Sequence, residues 1–75
     1  MSEILSGWTV YDHPSDYPDV FIARRWIASK GGVIATAEIM TSPVIVRLRA
    51  KLIQRGLYRL ERSPGDDAKI MEVWI

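Results

Sequence analysis

Apolar and polar positions along the chain alternate in several stretches and recur at helical spacing in one. Trp8–Tyr11 (WTVY) alternates in part and is followed by Asp12, His13, Pro14, Ser15, Asp16, Tyr17, Pro18 and Asp19. Proline lacks an N–H and aspartate side chains bond their own backbone in turns, so this stretch reads as a loop. Val20–Ala28 (VFIARRWIA) is rich in β-branched and aromatic residues and closes on Ser29, Lys30, Gly31 and Gly32. That is turn chemistry, and it precedes another strand from Val33 to about Ile39. The first half predicts a three-stranded antiparallel meander.

The second half opens with a helix start. Thr41 and Ser42 offer a hydroxyl cap and Pro43 suits the first helical position, where its missing N–H costs nothing. The residues up to Arg55 place Ile45, Leu48 and Leu52 on one face, joined by Val44 and Ile53, with Arg47, Lys51, Gln54 and Arg55 elsewhere. Gly56 fits a left-handed C-terminal cap, and Arg55 meets the negative end of the helix dipole. Leu57–Leu60 and Lys69–Ile75 predict a final hairpin around Ser63, Pro64, Gly65, Asp66 and Asp67. The order βββαββ is an α+β domain, with one helix on one face of a mainly antiparallel sheet of four or five strands. If the helix runs back antiparallel to the third strand, Val33–Leu60 is a right-handed crossover unit. The Asp12–Asp19 loop, the Ser63–Ala68 turn and the helix N-terminus then share one end of the sheet.

Seventy-five residues suffice for a single domain. A core of this size supplies about 3–5 kcal/mol and usually needs a staple. The chain has no cysteine, which removes disulfides, thiolate metal sites and cysteine nucleophiles together and leaves self-association or close packing as the staple. No apolar run approaches the length of a membrane span, and Glu3 stands where a secretory leader would be basic, so the expected setting is cytoplasmic, with no membrane.

The net charge of +1 conceals an uneven layout. Residues 1–20 hold Glu3, Asp12, Asp16 and Asp19 and neither Lys nor Arg, whereas residues 42–62 hold Arg47, Arg49, Lys51, Arg55, Arg59 and Arg62 against Glu61 alone. Those six cations could bind nucleic acid or another polyanion, or could be the solvated face of an amphipathic helix, around which Arg47 and Arg49 diverge by about 200°.

Within the sheet, Ile22, Arg24 and Trp26 share one row, and Ile70, Glu72 and Trp74 share another. One helix cannot cover a five-stranded sheet. An uncovered face carrying Arg24, Trp26 and Trp74 would be a protein-interaction surface, since aromatic and Arg side chains anchor interfaces; the alternative is that the tryptophans wrap the edge of a small core. Asp12, His13, Asp16 and Asp19 form a third candidate, a metal site or a His13-centred acid–base site. Their spacing matches neither an EF-hand nor a zinc pattern, and turn-forming aspartates explain the loop without a ligand. No glycine-rich phosphate loop is present, so no cofactor is expected.

The YDHPSDYPD loop, the FIARRW strand and the later GLYRLERSPGDDAKIMEVW together resemble a family of small uncharacterised bacterial proteins with a Tyr-Asp-His-Pro loop, an Arg-Arg-Trp strand and a C-terminal Glu-x-Trp. The resemblance covers most of the chain beyond the first seven residues. It implies a bacterial cytosolic protein and carries over no catalytic residue. The expectation is a non-catalytic protein-interaction module whose partner is another protein or a second copy, as in a homodimer. The alternatives are nucleic-acid binding and a metal-dependent enzyme.

Overall fold

A computed structural model describes residues 5–61 and 69–75. The element order is Leu5–Asp12 (β1), Phe21–Ser29 (β2), Gly32–Ser42 (β3), Ile45–Gln54 (α1), Arg59–Glu61 (β4) and Ile70–Trp74 (β5). The strands form one five-stranded sheet in the order β3-β2-β1-β5-β4, and every neighbouring pair is antiparallel. The predicted α+β architecture and the βββ meander are both present. β3 and β4 therefore run in the same direction at opposite edges, with three strands between them, and α1 is the crossover that joins them.

The two loops predicted to share an end have flanks that do so: the Asp12 N–H donates to the Lys69 carbonyl at 2.8 Å, and Lys69 Nζ reaches the His13 carbonyl at 3.4 Å. The turn residues Ser63–Ala68 themselves lie outside the described residues.

The strands are longer than the pattern predicts at two points. β1 begins at Leu5 rather than Trp8, because Ser6 and Gly7 pair with Ile27 and Trp26. Gly7 is tolerated there because the Trp26 indole lies across it. β3 runs to Ser42 rather than Ile39, because Thr41 and Ser42 pair with Ile22 and Phe21.

That extension corrects the predicted helix start. The N-cap is Val44, with no side-chain cap, and Pro43 precedes it instead of occupying the first turn. Ser42 Oγ accepts from the Val44 N–H at 3.1 Å and donates to the Val44 carbonyl at 2.9 Å, folding the chain around the proline rather than capping the helix. The C-terminal reading holds. Gly56 has φ +79°, its N–H bonds the Ile53 carbonyl at 2.9 Å, and the Leu57 N–H bonds that of Leu52 at 3.3 Å. This is a Schellman closure, and Leu57 packs onto the core beside Leu52.

Register assigns the two faces of the sheet. Under the helix, Trp8, Val10, Ala23 and Trp74 meet Leu48 and Leu52 in one buried cluster, flanked by Phe21, Met40, Ile45, Leu57 and Met71. Met71 reaches this side although Glu72 and Trp74 also face it, because the pairing of β1 with β5 shifts register between Val10 and Tyr11.

Candidate functional site

Among the described residues the other face of the sheet carries the exposed Leu5, Val33, Ile39, Tyr58 and Leu60, while Ile34, Val44, Val46 and Ile53 are exposed on the helix side or on the helix itself. One row crosses all five strands in register: Ile39, Arg24, Thr9, Val73 and Leu60. Toward the β2–β3 turn, Ala35 and Trp26 pair across to Gly7, and Val33 and Ala28 pair across to Leu5. On the far side Tyr58 exchanges two backbone hydrogen bonds with Ile75, at 2.7 and 2.9 Å, continuing β4 by one residue. Strand alternation puts Tyr58 and Leu60 opposite to Arg59, whose guanidinium lies 3.6 Å from Glu72 on the helix side.

Val33, Tyr58 and Leu5 are 70%, 78% and 53% exposed, and Leu60 and Ile39 are also exposed. Thr9, Tyr11, Trp26, Val33 and Ala35 line a shallow, mostly apolar depression of about 440 Å³ on this face. Among the described residues, no element packs over it beyond the Asp12–Asp19 loop at one end.

That loop is built against Arg24. The Arg24 guanidinium pairs with Asp16 and lies over the rings of Tyr11 and Tyr17, at 5.7 and 5.8 Å from their centroids. Pro14 is buried and Ile22 is fully buried beneath the same end of the sheet. Arg24 is the one charged side chain that the register places on this face among the described residues, and its charge is matched within the same chain.

The three residues predicted as one surface are thus divided. Arg24 and Trp26 lie together on the uncovered face, Trp26 half-buried against Gly7. Trp74 is on the other side of the sheet, 4% exposed, and belongs to the core. Its register partner is Trp8, so it joins Val10, Leu48 and Leu52 under the helix and takes its row-mate Glu72 with it. Glu72 faces the helix, where Arg49 binds it with two hydrogen bonds of 3.0 Å and the Trp74 indole N–H donates to it at 3.0 Å.

Burial pushes the Glu72 carboxyl up. The hydrogen bonds from Arg49 and Trp74 and the charges of Arg49 and Arg59 outweigh burial and hold it below the usual carboxylate range. Donating the same bonds to Glu72 raises Arg49.

The basic segment does not converge on one patch. Arg49 and Arg59 face Glu72, Lys51 reaches the Thr41 carbonyl at 3.4 Å, and Arg55 lies over the Trp8 ring at 5.1 Å from its centroid. Arg47 is exposed on the helix, and Arg62 lies outside the described residues. The loop acids are likewise dispersed. Asp12 contacts His13, Asp16 pairs with Arg24, and Asp19 is exposed. Among the described residues no three His, Cys, Asp or Glu side chains gather as metal ligands, and no helix is long and apolar enough to cross a membrane.

Reading the residues in order finds Arg24 and Trp26 but overlooks Thr9, Val33, Ala35, Ile39, Tyr58, Leu60 and Val73 as their neighbours. The alternation of Val33 and Ala35 was an available signal. Tyr58 and Leu60 join only because β5 inserts between β1 and β4. No family model, no curated protein and no solved structure matches the chain.

Proposed function

We propose that this chain is a small, non-catalytic protein-interaction module that works through the uncovered face of its sheet. The observation that carries this reading is the uncovered, mostly apolar sheet face, with Val33 and Ile39 on β3 and Tyr58 and Leu60 at the β4 edge exposed on either side of Trp26, Arg24 and Thr9. A sheet face of this kind is ordinarily buried against a second layer, and contiguous apolar patches beyond a few hundred Å² mark interaction sites. Trp26 and Arg24 are of the residue types that anchor such contacts, and the Trp26 indole occupies the space a side chain at Gly7 would need.

The engaged state of Arg49 and Arg59 supports a protein surface over a polyanion site, since their charges already face Glu72. A bacterial cytosolic setting, implied by the family resemblance, belongs to the same proposal.

Site-specific photo-crosslinking in cells tests the reading. A photoreactive residue at Val33 or Leu60 is expected to give protein adducts, whereas the same group at the exposed helix residue Val46 gives none above background. Equal or absent labelling at all three positions would overturn it.

A further inference from the structure

We infer that the partner layer is a second copy of this chain, packed face to face through the uncovered sheet to make a two-sheet sandwich with one helix on each outer side. This inference deepens the interaction-module reading and rests on it.

Area is the first argument. Five strands about 4.8 Å apart, three to eleven residues long at about 3.3 Å per residue, make a projected face of about 600 Å². Protruding side chains such as Tyr58, Val33 and Leu5 raise the accessible area toward the roughly 800 Å² per partner of a standard interface.

Charge is the second argument. In a two-fold interface each residue type meets the same patch on the other copy, so a strongly charged face repels itself. Here the register places one charge on the sheet face, Arg24, which Asp16 balances in its own chain, and Lys69 joins them only at the loop end. Over the rest of the face two copies meet without opposing like charges. Nothing on it selects an oppositely charged partner either.

The core is also thin. Among the described residues the buried hydrophobics are Trp8, Val10, Ile22, Ala23, Leu48, Leu52 and Trp74, and Ile22 lies on the far side of the sheet from α1. With no cysteine to cross-link the chain, a second sheet about 10 Å away converts the exposed Val33, Ile39, Tyr58 and Leu60 into a second core.

Sedimentation equilibrium tests this on the full chain. The wild type is expected to sediment at twice the 8.5 kDa chain mass, with a dissociation constant at or below ~10 µM. Val33→Glu and Leu60→Glu are expected to weaken the dimer at least about tenfold, while Val46→Glu on the helix leaves it unchanged. Both face positions are exposed in the single chain, so circular dichroism is expected to show an unchanged fold.

A wild-type monomer at ~100 µM would overturn the inference, as would a dimer that survives both face variants. If the chain is monomeric but Val33 and Leu60 still crosslink to a different protein, self-association fails and the interaction reading stands. If no adduct forms, both fail.

Discussion

Glu72 is the residue on which the core's polarity turns. It is a carboxylate within the core layer, accepting from Arg49 and from the Trp74 indole while Arg59 approaches from β4. A buried acid without partners would be costly, and here the partners come from three separate elements. Glu72→Gln keeps the shape and removes the charge that pairs Arg49. Because Arg49 is partly solvated, the expected cost is about 2 kcal/mol, less than for a fully buried pair, read from urea unfolding at neutral pH.

The pH dependence follows from the direction of the Glu72 shift. Its folded value lies below its unfolded one, so its contribution is full above the unfolded carboxylate value of about 4.3 and is lost as pH falls through the folded value. The stability difference between wild type and Glu72→Gln is therefore expected to be constant near neutrality and to shrink on acidification below about pH 5. A difference independent of pH down to about 3 would mean that the carboxylate's charge is not what stabilises this site.

Gly7 is the second residue with a sharp requirement. A β-carbon there would stand 2.8 Å from the Trp74 carbonyl oxygen and closer still to Cζ2 of Trp26. The indole could swing away but the backbone carbonyl could not. Gly7→Ala is expected to destabilise the fold by about 2 kcal/mol and to alter Trp26 fluorescence, measured together in one denaturant titration.

At the scale of elements, the helix shows which local signals survive packing. Its C-terminus behaves as read, because a positive φ at Gly56 and the Leu52–Leu57 contact are both local. No atom outside its neighbouring residues would meet a β-carbon at Gly56, so Gly56→Ala probes backbone conformation alone. The expected loss is about 1 kcal/mol by thermal or urea unfolding, with α1 otherwise intact. Its N-terminus does not behave as read. Thr41-Ser42-Pro43 carries cap chemistry, yet β2 offers Ser42 and Thr41 a hydrogen-bonding partner that a helix cap cannot match. The strand wins because its pairing with Phe21 and Ile22 also continues a sheet already formed, and the helix starts later without a side-chain cap. β1 grows by the same logic, since Gly7 weakens a strand in isolation but accommodates Trp26 once β2 is alongside.

At the scale of the molecule, the sheet is covered by α1 on one side and by only one loop on the other among the described residues. If the second layer is another copy, stability becomes a function of concentration. The midpoint of thermal unfolding is then expected to rise as protein concentration rises from micromolar to hundreds of micromolar, and Leu60→Glu is expected to abolish that dependence. A midpoint independent of concentration in the wild type would count against the sandwich.

Alternation, turn residues and the single helical period by themselves determined the βββαββ order, the meander and the glycine closure of the helix, because each depends on neighbours within a few residues. They also determined that Arg24 and Trp26 lie on one face, since side chains two apart in a strand must do so. Which face the helix would take, and hence that Trp74 is core while Trp26 is not, was decided only in three dimensions. The choice rests on Leu48 and Leu52 packing on Trp8, Val10 and Trp74, with Arg49 meeting Glu72 across 23 positions in the chain, and on β5 entering between β1 and β4 with a register shift at Tyr11. Those are long-range pairings, and no local pattern encodes them.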